Sequence, residues 1–406
     1  MRGRRGEIKR LKAELHLLEA RRSLPLPHEL LELIFKYSVH LYEQLPERLL
    51  LICRTFYVVA INCRALWTGL NFGDQYDSDH LPLWAGTFIQ SRVARSNPAP
   101  LGIDFSDITH LDMPDDFAKK VSDIPTLLQR CRSVVITTSS ELHFFQGFQP
   151  LLESLTLEHP FRGGYYPSRK PWQSVGECPN LRSLKLRTPE GSQRWPDQLF
   201  QQLTDLEIKM PLLRGNNPSY HQIILPVATR LRSLTLMVTF GTPQPVIHQS
   251  LQTLVLIYRT PWLVDITNTL GEIVCPELRR LEIRARLSEL LSLIHIRHTQ
   301  KLSDLCLVST ASRGNEEEDQ KWLGSIVELL RSIGTIKHLD LDFDTRVVSG
   351  LVEKLEADPT LCPDLVSLHA RTSRFASKRE RSLLLKLEAR VSERYQYLGD
   401  RGVLIS

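Results

Sequence analysis

No stretch of this sequence approaches the roughly 18 consecutive apolar residues that a membrane helix requires, so no bilayer passage is expected of it. Its N-terminal leucines are interleaved with Arg, Lys and Glu, which leaves no uninterrupted signal-peptide core. The expectation is an intracellular protein, in cytoplasm, nucleus or both. Paired cysteine motifs are missing too. Seven cysteines are scattered along the chain, and Cys53 and Cys63 stand ten apart, so no CxxC spacing points to zinc. An odd number of thiols suits a reducing compartment, where each can serve as a small buried hydrophobe. There is no glycine-rich phosphate loop, no G-x-G-x-x-G, no H-E-x-x-H and no G-x-S-x-G. The thirteen histidines have no recurring acid or nucleophile beside them. A non-catalytic chain without cofactor or metal is therefore expected.

Charge is sparse in one respect: the body of the chain has no surplus of either sign. Residues 1–22 carry eight Lys/Arg against three Glu, which accounts for the whole net charge of +5. Basic charge confined to one end argues against nucleic acid as partner and for a local feature at the terminus. The length, 406 residues, allows two or three ordinary domains or one small domain followed by a repeat array.

Three regions are present. In the first, residues 1–23, Ile8, Leu11, Leu15 and Leu18 share one helical face. The stretch reads as a solvated basic amphipathic helix leading onward, with self-association or contact with an acidic surface as alternatives. In the second, residues 24–72, a proline precedes a helical run that carries Leu30, Leu31, Ile34 and Phe35 on a wide apolar face. A second helix is predicted after Pro46, through Leu49, Leu50, Ile52, Cys53, Phe56, Val59 and Ala60. Leu66, Trp67 and Leu70 close the segment. So much apolar surface on about fifty residues suggests an interface.

The order Leu26-Pro27-x-x-Leu30-Leu31-x-x-Ile34-Phe35, then Leu51-x-Cys53-Arg54-x-Phe56-x-x-x-Ala60, then Leu66-Trp67-x-x-Leu70, resembles the F-box. It is similar to the variant common in the expanded F-box families of mushroom-forming fungi, with Phe56 where the family often has tryptophan. The resemblance implies a three-helix unit that docks on a Skp-type adaptor and, through it, a cullin-RING ubiquitin ligase. On matching positions, Leu26, Pro27, Leu30, Leu31 and Ile34 would be the main contacts. Phe35, Cys53, Phe56 and Trp67 would combine contact with core packing. A helical hairpin that merely caps the following array is the other reading.

Residues 73–95 read as a linker or helical connection, and 96–375 as a repeat array. The pattern L-x-x-L-x-L recurs as Leu152-Leu155-Leu157, Leu181-Leu184-Leu186, Leu203-Leu206-Ile208, Leu231-Leu234-Leu236 and Leu251-Leu254-Leu256. It continues as Leu278-Leu281-Ile283, Leu302-Leu305-Leu307, Ile336-Leu339-Leu341 and a degenerate Leu365-Leu368-Ala370, with Cys131-Val134-Ile136 as an earlier copy and Leu101-Ile103-Phe105 as an initial strand. Most starts lie 20–29 residues apart, the leucine-rich repeat range; the longest step, 34, contains the acidic loop Glu316–Asp319. Each L-x-L is a short strand with alternate residues inward, and the intervening chain returns as helix or loop to begin the next parallel strand. Cys-Pro precedes three copies, at Cys178, Cys275 and Cys362. The predicted fold is therefore α/β: an N-terminal three-helix F-box, then a leucine-rich-repeat solenoid with a curved parallel sheet and helices or loops on its convex side. The asparagine that follows the strand in regular leucine-rich repeats is missing from nearly all copies, so the arc is expected to be irregular. Residues 376–406, with Leu383, Leu384, Leu387 and Val391, read as a terminal amphipathic capping helix and tail, or as a basic docking patch.

The residues between the inward leucines face the concave surface. Lys185, Arg187, Lys209, Arg280, Arg284 and Asp340 charge its flanks, and Thr235, Met237, Val255 and Ile257 make its middle less polar. An apolar patch with charged edges suits a protein partner of unknown identity. The alternatives are plain solvated sheet positions or a face covered by the terminal helix. Asp340, Asp342 and Asp344 alternate along one strand without a second ligand set. The function expected is substrate recognition for a Skp-cullin-F-box ligase, with no nucleic acid and no membrane among its partners. A leucine-rich scaffold without ligase recruitment is the alternative.

Overall fold

The structure, a computed structural model, describes residues 26–42, 46–71, 85–104, 124–136, 149–157, 178–186, 197–209, 224–238, 246–258, 273–285, 296–297, 299–309, 316–358, 360–371 and 389. It is a mixed α/β chain that divides into two compact units, Met1–Leu152 with Ser174–Glu177, and Glu153–Gln173 with Cys178–Ser406. Among the described residues the main sheet has twelve parallel strands, three in the first unit and nine in the second, and all but the first of them carry the repeat pattern.

The first unit opens with α1 (His28–Tyr42), α2 (Pro46–Leu49), α3 (Arg54–Asn62) and a 3-10 turn, Arg64–Trp67. Proline starts α1 as its position predicts: the Pro27 carbonyl accepts from the Leu30 and Leu31 amides, both at 3.1 Å. The helix predicted after Pro46 is broken in two. Between Leu50 and Ile52 the amides bond three residues back instead of four, and Cys53 is extended at φ −162°. This tightened turn points Leu51 and Ile52 outward. Leu31, Phe35, Leu49, Val59, Ala60, Cys63, Leu66 and Trp67 form the core. The Phe35 and Phe56 rings meet at 4.8 Å, and the Trp67 indole N–H donates to the Ala60 carbonyl at 2.8 Å.

The stretch expected as a linker or helical connection contains a helix, α4 (Ala85–Ser96), whose arginines bind it to the helices before it. Arg92 is buried; its Nε donates to a Glu47 carboxylate oxygen at 2.7 Å, and another nitrogen donates to the Gly69 carbonyl at 2.7 Å. Arg95 lies 4.5 Å over the Trp67 ring. Strands β1 (Gly69–Asn71), β2 (Leu101–Asp104) and β3 (Cys131–Ile136) pair in parallel in that order, and α5 (Ile124–Gln129) precedes β3.

In the second unit the strands are β4 (Ser154–Leu157), β5 (Ser183–Leu186), β6 (Asp205–Ile208), β7 (Ser233–Val238), and the two-residue β8 (Val246–Ile247). Then follow β9 (Thr253–Tyr258), β10 (Ile273–Val274), β11 (Arg280–Ala285), β12 (Ile296–Arg297), β13 (Asp304–Ser309), β14 (His338–Asp342) and β15 (Ser367–Arg371). The main sheet runs β4-β5-β6-β7-β9-β11-β13-β14-β15, in register leucine to leucine: Leu184 pairs with Leu206, Leu234 with Leu254, Leu281 with Leu305. All three leucine-type positions of the copies from Leu152 to Leu341 are buried, and only the last position of the degenerate copy, Ala370, is half-exposed. A single carbonyl before each strand accepts two amides of the next: Arg182 from Thr204 and Asp205, Thr204 from Arg232 and Ser233, Ser303 from Lys337 and His338. Cys178, Cys275 and Cys362 are buried, and each carbonyl accepts from the first leucine of its repeat, so Cys-Pro-x-Leu is a tight turn that sets up the strand.

The returns differ from expectation in two places. Those that hold β8, β10 and β12 are neither helix nor loop there but form a second, three-stranded parallel sheet. The acidic run expected as a loop is the first turn of α7 (Glu316–Ile333), where carboxylates meet the positive end of the helix. After α7, Gly334 takes φ +68° and its amide bonds back to Leu330, the arrangement that ends a helix at glycine. Helix α6 (Asp197–Gln201) fills an earlier return, and α8 (Thr345–Ala357) begins where Asp344 accepts from the Arg346 amide at 3.1 Å. The basic N-terminal helix lies outside the described residues, and so does the terminal capping helix apart from Ala389. No helix among the described residues is long and apolar enough to cross a membrane.

Candidate functional site

Each unit presents one surface that its own core does not use. In the first unit, α1 is apolar on two sides. Leu31 and Phe35, four residues apart, enter the core, with Val39 packed against it. Leu30, Leu33, Ile34 and Tyr37 follow the same helical spacing on the other side and are exposed; Leu30 and Ile34 are each 46% exposed. Leu26 and Pro27 continue this strip at the helix start, while Leu51 and Ile52 from the tight turn and Tyr57 and Val58 from α3 are exposed as well. Leu51, at 86% exposure, stands almost wholly in solvent.

Of the residues expected at the adaptor contact, Leu26, Pro27, Leu30 and Ile34 are open to a partner, and Cys53 and Phe56 are half-buried. Leu31 is a correction: it was grouped with the main contacts, but α1 turns it inward, where it is 1% exposed. Phe35 and Trp67 are core residues without an open face. Leu33 and Tyr37 were not singled out, although spacings of three and four from Leu30 already put them on the exposed strip.

In the second unit the polar face of the main sheet holds the other expected set. Lys185, Glu207, Thr235, Val255, Glu282, Cys306 and Asp340 form one row across the strands. Met237, Ile257 and Arg284 belong to the next, and Lys209 follows the end of β6 one residue beyond the Ile208–Leu236 pair. Glu207 lies between two lysines: Lys185 Nζ is 3.8 Å from one oxygen, and Lys209 pairs with the other, off the direction of a hydrogen bond. Glu282 also lies between two cations, but here Arg284 Nε donates a hydrogen bond to it at 2.6 Å, and Arg280 is 3.6 Å away. Thr235, Met237, Val255 and Ile257 between these clusters are half-buried. Beyond Glu282 the charge changes sign. Burial pushes the Cys306 thiol up to about 11, and the Glu282 and Asp340 carboxylates on either side add to the rise. Asp342 lies further along β14, whereas Asp344 leaves the strand to cap α8, so the three alternating aspartates do not act together. Arg187 falls outside the described residues. Among those described, no group of His, Cys, Asp and Glu could hold a metal ion.

Compared with known protein families and with curated proteins, the chain matches none.

Proposed function

We propose that this chain is the substrate-recognition adaptor of a Skp-cullin-F-box type ubiquitin ligase, acting in the cytoplasm or nucleus. Its helical unit docks on a Skp-type adaptor, and the sheet face of its second unit takes a protein substrate. The observation that carries the reading is the exposed strip of Leu26, Leu30, Leu33, Ile34 and Tyr37 beside a separate and complete core. A helix with a satisfied inner face has no structural use for a second apolar face, and such a surface in water favours association. The F-box-like order of residues in the same segment names the partner. The chain contributes proximity and orientation, and the transfer chemistry belongs to the associated subunits. Seven free thiols agree with a reducing compartment.

The test is capture of the full chain by a purified, immobilised Skp-type adaptor. Replacing two exposed apolar anchors by carboxylates, L30D/I34D, should weaken capture by about 100-fold, at roughly 1.4 kcal/mol or more for each anchor. Both side chains are exposed, so the variant should melt at the wild-type temperature. A well-folded wild type that is not captured would leave a repeat scaffold without ligase recruitment.

A further inference from the structure

The two charge clusters on the second unit's sheet face are alike in construction. In each, a carboxylate sits low between two cations, so each cluster keeps one positive charge in excess. Burial separates the signs: Glu282 is 10% exposed, whereas Arg280 and Arg284 are 48% and 47% exposed. In the other cluster Glu207 is 16% exposed against 44% for Lys185 and 31% for Lys209, so solvent meets the cations more than the anions.

Their spacing carries a second message. Lys209 directly follows the last residue of β6, whose Ile208 pairs with Leu236, and Met237, Ile257 and Arg284 follow one another on the adjacent strands β7, β9 and β11. Three steps of about 4.8 Å put the two outer backbone positions roughly 14 Å apart. In an extended chain, residues i, i+2 and i+4 point the same way and span about 13 Å. Groups at i and i+4 would therefore fall over the two clusters, while the residue between them fell over Met237 and Ile257.

We propose that this face binds an extended acidic peptide of pattern acid-any-apolar-any-acid, laid across the strands with its apolar side chain over Met237 and Ile257. Calling that peptide a substrate rests on the adaptor reading; its chemistry rests on the sheet face alone. A lysine-flanked peptide would meet an excess of like charge at both ends, and a polar middle would leave the apolar rows uncovered.

The test is a peptide array probed with the purified full chain. The immobilised nine-residue peptides carry two glutamates at spacings of two to six, or two lysines, around a central leucine or serine. Capture should peak for glutamates four apart with leucine between them, about 10-fold above the lysine-flanked peptide, at roughly three-fold for each cation met. The preference should shrink in high salt. The pair K209Q/R284Q leaves one cation beside each carboxylate, and should erase the acid preference while capture by the Skp-type adaptor stays unchanged. Capture that ignores charge and spacing, no capture at all, or a preference that survives K209Q/R284Q would each overturn the proposal. Selectivity on the array without adaptor capture would sink the ligase reading and leave this site standing.

Discussion

Single residues carry two kinds of constraint here, burial of charge and backbone sign. Asp319, in the first turn of α7, is buried. Its carboxyl is held above the usual range chiefly by that burial, next by the Asp344 charge; Arg346 acts the other way, and Glu318 and Glu316 add to the rise. A carboxyl whose folded pKa exceeds its unfolded one stabilises the fold most when protonated, and this contribution is lost as pH rises through the folded value. D319N, which does not titrate, should therefore gain on the wild type as pH rises above the ordinary carboxylate value of about 3.9, measured as the difference in urea midpoints. A constant difference would show that the charge costs nothing. Gly334 has the opposite kind of constraint. At φ +68° a Cβ is strained, and G334A should lower stability by about 1 kcal/mol, read from chemical denaturation.

Elements depend on what their residues meet after they form. The leucine columns were legible because a strand repeats every two residues, so Leu155 and Leu157 could only point the same way, and the same holds in each later copy. The returns were less legible. Val246–Ile247 and Ile273–Val274 are too short to show a period, and they become strands only because neighbouring returns pair with them. Glu316–Asp319 read as a loop by charge alone, although the buried series Trp322, Leu323, Ile326, Val327 and Leu330 behind it shows a helical period. The role of α4 was hidden for a similar reason: an arginine in sequence looks solvated, and the partner Glu47 lies 45 residues away. R92M should cost about 3 kcal/mol, because it leaves a part-buried carboxylate and the Gly69 carbonyl without their donor. E47Q keeps the side-chain oxygen as an acceptor and should cost less. Equal stabilities for R92M and the wild type would mean that α4 is only a connection.

For the molecule as a whole, the two surfaces differ in the physics they offer a partner. The helical unit presents apolar area with little charge in it, which favours burial and a negative heat-capacity change on binding. The sheet face presents clustered cations around a narrow apolar centre, which favours a charged partner and a response to salt. Both sets of residues could be named from sequence to the extent that a periodic pattern fixed their side of a helix or strand. Leu30 and Ile34 are exposed on α1 and Leu31 is packed inward, and an F-box-like order of residues does not say which of two adjacent leucines packs inward. Arg280, Glu282 and Arg284, like Glu207 and Lys209, stand two apart in sequence and share a face by the strand period, whereas the Lys185–Glu207 pair appears only once β5 and β6 are in register.

The most direct measurement is a calorimetric titration of the full chain with a purified Skp-type adaptor, wild type beside L30D/I34D. The adaptor account predicts one-to-one binding with a negative heat-capacity change in the wild type, and affinity about 100-fold weaker in the variant at unchanged melting temperature. Wild-type binding that the double substitution leaves untouched would contradict it, because the exposed face of α1 would then have no part in the contact.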